Sequence, residues 1–144
     1  VVPNGVVEIG ANAFAMSESL NKVRISSSVT TIGYRAFSWC SALESVTIPD
    51  SVTSIGQLAF SECESLTSIT LPEKISSIDS YAFIACTSLT TVFSKNATPP
   101  TFGYSMFEEC NSLLKIYVPT SSVSAYKSAS GWSSYASIIE GYNF

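Results

Sequence analysis

The chain has 144 residues, seven basic and eleven acidic side chains, no histidine and a net charge of −4. Hydrophobic residues make up 46% and charged ones 12%, about half the usual charged share, so a core can form beneath a polar, nearly neutral surface. The bases are scattered from Lys22 to Lys127, which argues against nucleic acid as a partner; no uncharged apolar run reaches the ~18 residues of a membrane span, and Val1 opens no signal peptide.

In chain order, Val1 to Gly5 reads as the spacer before a further coil, and more sequence is expected upstream. Val6 to Ile25, VVEIGANAFAMSESLNKVRI, is the first coil of a repeat. Val29 to Ile48, Val52 to Leu71 and Ile75 to Ser94 follow in register, each 23 residues on. The register aligns Val6, Val29, Val52 and Ile75; Ile9, Ile32, Ile55 and Ile78; and Phe14, Phe37, Phe60 and Phe83. The fourth coil has Asp79 where the others have glycine, and it ends on a polar Ser94. The fifth keeps Phe102, Phe107, Cys110, Leu113, Ile116 and Val118 in register after one inserted residue near Pro99-Pro100. A period in this range marks a repeat architecture and predicts a solenoid.

Within the third coil, Ile69 and Leu71 alternate with Ser68 and Thr70, the pattern of a short strand. Prolines 49, 72 and 119 follow such strands and end them. Stacked coils then form one parallel sheet at ~4.8 Å spacing. Val52 and Ile55 point inward on the return path. Gly56 makes a turn, supplying a positive φ or a close approach as Gly10, Gly33 and Gly103 do, and Ala59 and Phe60 sit in a short helical or 3-10 turn. After Val118, Ser121 or Ser122 caps a short helix through Val123, Ala125, Tyr126 and Ala129, which stops at Gly131. Trp132, Tyr135, Ile138 and Ile139 suit a cover for the last coil. The expected organisation is a five-coil array over 1–118, with short helical, 3-10 or extended return segments, and a C-terminal helical cap over 119–144, in one domain.

LESVTIPDSVTSIGQLAFSEC (Leu43 to Cys63) resembles the leucine-rich repeat of the BspA-like type, and YVPTSSVSAYKSASGWSSYASII (Tyr117 to Ile139) resembles the closing segment of its bacterial members. The resemblance covers nearly the whole chain and implies a right-handed leucine-rich repeat solenoid. It also implies an extracellular or cell-surface location. Some similar proteins are adhesins, so the implied partner is a host extracellular-matrix protein, a cell-surface protein or a glycan.

Cys40, Cys63, Cys86 and Cys110 occupy one column. Stacking puts neighbouring Cα atoms ~4.8 Å apart, but parallel Cα–Cβ vectors keep the Cβ atoms near that distance rather than the ~3.8 Å of a disulfide. Four cysteines in a line cannot surround a tetrahedral zinc ion either. They are expected as a structural ladder of buried free thiols, with no metal or cofactor.

No enzyme is expected. Without histidine, Ser-His and Cys-His nucleophile pairs are excluded. The nearest carboxylate pairs, Glu62 with Glu64 and Glu108 with Glu109, fall on convex turns with no apolar pocket, so glycan hydrolysis ranks last among the readings. Asn96-Ala97-Thr98 matches a glycosylation sequon and carries no weight in a bacterial-looking chain.

The outward strand positions form two columns: Arg24, Thr47, Thr70, Phe93, Tyr117 and Lys22, Ser45, Ser68, Thr91, Lys115. Lys22, Arg24, Thr47, Thr70, Phe93, Lys115 and Tyr117 are the candidate ligand-binding residues, with Phe93 and Tyr117 as an aromatic anchor. Tyr34, Trp39, Tyr81 and Tyr104 form a second patch on the return side. The expected function is adhesion or binding of a protein or glycan through the strand face. The alternative is a structural spacer with no specific ligand.

Overall fold

The computed structural model describes residues 1–144. The first coil contributes β1 (Glu8–Ile9) and β2 (Lys22–Arg24); the second, β3 (Thr31–Ile32) and β4 (Ser45–Thr47); the third, β5 (Ser54–Ile55) and β6 (Ser68–Leu71). The fourth gives β7 (Ser77–Ile78) and β8 (Thr91–Ser94), and the fifth β9 (Thr101–Phe102) and β10 (Lys115–Pro119). Helix α1 (Val123–Ser128), a 3-10 segment (Trp132–Ile138) and β11 (Ile139–Tyr142) complete the chain.

The stacked coils do not share one sheet. Return strands β1, β3, β5, β7 and β9 form a five-stranded parallel sheet of their own. Each is two residues long because only its isoleucine, or Phe102, faces the core before the chain turns. On the opposite side, β2 pairs with β4, and β6, β8, β10 and β11 form a separate four-stranded parallel sheet. Thr90 donates its N–H to the Thr67 carbonyl, but no equivalent bond joins Thr67 to Glu44, and the ladder is interrupted there. The inward residues on the short side of this seam are less covered: Val23 and Val46 keep 7% and 9% exposure, against 1% for Ile69.

The return turn is not helical. Leu58, Phe60 and Glu62 donate their N–H groups to Ser80, Ala82 and Ile84 of the next coil at 3.2, 2.8 and 2.9 Å. Ala59, Ser61 and Cys63 donate three residues back instead. A helix would direct every N–H along its own axis; the alternation ties coil to coil. It places Leu58 and Glu62 in the left-handed region at φ 60° and 58°, as it does Arg35 and Trp39 one coil earlier. Such strain is tolerated where surrounding bonds over-determine the backbone.

The glycine column serves the second of its two expected roles. Gly33, Gly56 and Gly103 have no positive φ, but an added Cβ would lie 2.8 Å from the Ile9 carbonyl oxygen, 2.9 Å from the Gly33 carbonyl carbon and 2.2 Å from the Ser80 nitrogen, respectively. At Gly10 nothing lies within 4 Å.

A single cluster of 35 buried residues runs from Val2 to Ile139. Its axis is the phenylalanine column: Phe14, Phe37, Phe60 and Phe83 stack at 5.1, 5.2 and 5.3 Å, nearly parallel, and Phe107 follows at 5.8 Å. At the far end Tyr126 and Trp132 are fully buried against it. Trp132 meets Phe102 edge-on at 4.8 Å and donates its indole N–H to the Pro100 carbonyl at 3.0 Å. Ser122 does not cap α1 with its side chain; its hydroxyl donates to the Ala97 carbonyl at 2.7 Å and ties the helix start to the fifth coil. The helix stops at Ser128, before Gly131, whose φ of 80° starts the 3-10 segment.

Candidate functional site

Of the seven strand-face candidates, Lys22, Arg24 and Thr47 lie on the two-stranded sheet, with Lys22 opposite Ser45 and Arg24 opposite Thr47. Thr70, Phe93, Tyr117 and Lys115 lie across the seam. There Thr70 pairs in register with Phe93, Phe93 with Tyr117, and Tyr117 with Glu140 of β11. Lys115 is engaged in an ion pair with Glu140, whose hydrogen bond holds the lysine's pKa above its usual value.

The expected aromatic pair is present and is itself covered. The Phe93 and Tyr117 rings stack at 5.2 Å. Tyr142 packs edge-on to Phe93 at 5.6 Å and lies 5.5 Å from Tyr117; Phe144 stands 5.0 Å from Tyr142. Phe93 and Tyr117 are thus half-buried supports, and Tyr142 and Phe144, 45% and 52% exposed, are the rings presented to solvent. Edge-to-face contacts of this kind fix ring orientation as well as contributing area.

These two rings border a groove of about 900 Å³ that is also lined by Asp50, Glu73, Lys95 and Asn143. Asp50 and Glu73 directly follow the strand-ending prolines, and stacking brings them together: the Glu73 N–H points at the Asp50 carboxylate, 3.4 Å away. Thr120 donates to Asn143 Oδ1 at 3.0 Å and sets that amide at the rim. Glycine at 141 lets the strands approach closely, since an added Cβ would lie 3.0 Å from Thr120 Cα. None of Asp50, Glu73, Tyr142, Asn143 and Phe144 is singled out by the strand columns. The signal for β11 is nonetheless in the sequence, because Ile139 and Tyr142 stand 23 residues after Ile116 and Pro119, the same step that relates the earlier coils.

All four cysteines are free and buried. Each thiol donates to the carbonyl of a phenylalanine in the coil before: Cys40 to Phe14, Cys63 to Phe37, Cys86 to Phe60 and Cys110 to Phe83, at 3.0 to 3.2 Å. That weak bond is what cysteine offers over an equally small apolar residue. Burial pushes the Cys40 and Cys63 thiols up. Cys86 is raised by the neighbouring Cys110 thiol and then by burial, while the Cys86 neighbour lowers Cys110.

On the return side, Tyr104 and Trp39 are well exposed and Arg35 lies over the Tyr34 ring at 5.2 Å. Partial burial raises the pKa of Glu62, and the Glu64 and Glu109 carboxylates add to the rise. The Asn96 amide donates to the Ile75 carbonyl and accepts from the Thr98 N–H, so that side chain fastens the inserted loop.

The chain resembles several solved bacterial proteins. A leucine-rich repeat protein of T. pallidum matches at 32% identity with a TM-score of 0.76, over 82% of this chain and 56% of that one. A leucine-rich cell-surface protein of Faecalibacterium prausnitzii matches at 30% identity and 0.75, over 99% of this chain and 35% of that one. The pneumococcal vaccine antigen PcpA shares the fold at 23% identity and 0.71, over 81% of this chain and 29% of that one. The chain therefore spans about half or less of the length of these proteins. No curated protein matches it in sequence. The model of the BspA type leucine-rich repeat region matches residues 3–134 in six copies, and the chain belongs to that family.

Proposed function

We propose that this chain is a non-enzymatic, ligand-binding module of an exported bacterial surface protein, working through the carboxyl-terminal end of its strand face. The observation that carries the reading is the ring cluster of Phe93, Tyr117, Tyr142 and Phe144, in which two supported rings present two exposed ones beside a polar groove. Rigid aromatic side chains lose little entropy on binding, and a solenoid surface keeps them in place without a ligand. The likeness to the F. prausnitzii cell-surface protein supports the surface location.

Purified chain, probed against matrix proteins and host glycans at two salt concentrations, tests this reading. Saturable binding that is lost when Arg24, Phe93 and Tyr117 are changed together to alanine supports it. Saturable binding that survives the triple change moves the site off the strand face, and no saturable binding at all favours a spacer.

A further inference from the structure

We propose that the groove beside the aromatic cluster takes a neutral oligosaccharide. This names the ligand class for the binding site above and rests on that reading. A sugar ring offers a C–H face and a rim of hydroxyls, and the groove sets matching groups side by side. The exposed Tyr142 and Phe144 rings supply faces for the C–H groups. Asp50 and Glu73 accept hydroxyl hydrogens in charge-assisted bonds, and Lys95 donates. The Asn143 amide, with its oxygen already accepting from Thr120, has its NH₂ left to donate. The volume of about 900 Å³ lies within the range of small-ligand sites.

The charges decide against the other classes. Two carboxylates repel a polyanion, and a polycation must bury Lys95, which carries no ion pair of its own. A peptide with large apolar anchors finds no closed apolar pocket, because charged, amide and hydroxyl side chains intervene. A polyhydroxy ligand without charge meets no like-charge repulsion, and its hydroxyls return hydrogen bonds to the carboxylates and to Lys95 as these leave water.

The test is calorimetric titration of the chain with neutral tetrasaccharides built from glucose, mannose or N-acetylglucosamine, and with an oligogalacturonate as the anionic arm. The expected result is saturable binding of at least one neutral tetrasaccharide, weakened about tenfold or more by Tyr142→Ala. Glu73→Gln, on an exposed turn that forms no part of the sheet, should weaken it about threefold to tenfold with an unchanged melting temperature. Binding of the anionic arm alone overturns the proposal. So does binding to a matrix protein that survives enzymatic deglycosylation and is not displaced by the tetrasaccharides, although the strand-face reading then stands. Binding of neither sugar nor protein overturns both.

Discussion

The hydroxyl of Ser94 lies 2.9 Å from that of Tyr126, and Tyr126 donates in turn to the Asn96 carbonyl at 2.8 Å. Ser94 occupies the column filled by Ile25, Ile48, Leu71 and Val118 in the other coils, all buried. The polar substitution is explained by the tyrosine, which fills the end of the core and needs a partner for its buried oxygen.

Burial pushes the Tyr126 hydroxyl up from its ordinary value of 10.0 to about 12, with the Ser94 bond opposing. The folded state therefore holds a proton that the unfolded chain releases, so this contribution is whole below pH 10 and is lost as pH rises through about 12. Stability against urea should fall over that window. In Tyr126→Phe the fall should be shallower, with about 1 kcal/mol lost at neutral pH from the missing hydrogen bonds. An unchanged alkaline slope would show that Tyr126 does not titrate with unfolding.

The thiol ladder predicts an order of reactivity. Only the thiolate attacks, and Cys63 and Cys86 are fully buried with raised pKa values, whereas Cys110 keeps 8% exposure and a lowered one. An aromatic disulfide reagent, followed by mass spectrometry, should modify Cys110 first and Cys63 and Cys86 only on unfolding. Simultaneous modification of all four in native buffer would contradict the packing.

Two glycine substitutions form a matched pair. Gly103→Ala drives a methyl into the Ser80 backbone, which cannot move aside as a flexible side chain could, and should cost about 3 kcal/mol. Gly10→Ala meets nothing and should lie within about 0.5 kcal/mol of the parent. Equal melting temperatures for the two variants would refute the close approach of coils along this column.

Ile69 is 1% exposed at the centre of the third coil, and Ile69→Asp buries an unpaired carboxylate there. Circular dichroism should show loss of the whole fold at 25 °C in one transition, since each coil is stabilised by its neighbours. A melting temperature near the parent's would be inconsistent with the register.

The inward columns were legible because most are chemically uniform: phenylalanine stacks on phenylalanine, isoleucine on isoleucine. The separate return sheet was not, since two residues such as Thr31 and Ile32 are too few to show alternation. Nor were the left-handed turns, because Leu58, Trp39 and Glu62 are residues that rarely adopt φ near +60° and do so here for bonds to the next coil. Phe93 and Tyr117 could be read from their column. Tyr142 has only the 23-residue step from Pro119 to announce it, and Gly141 interrupts the alternation that would have marked β11 as a strand. Asp50 and Glu73 look like solvated loop charges until stacking sets them beside those rings.

The central claim is that ligand binding belongs to the aromatic end of the strand face, and two single substitutions on different faces test it most directly. Tyr142 stands at the groove, and Tyr104, 81% exposed, stands on the return side. With affinity for the bound matrix protein or glycan measured for both variants, Tyr142→Ala should weaken binding about tenfold or more while Tyr104→Ala leaves it unchanged. Binding lost with Tyr104→Ala and retained with Tyr142→Ala would contradict the account and move the site to the turns of the return side.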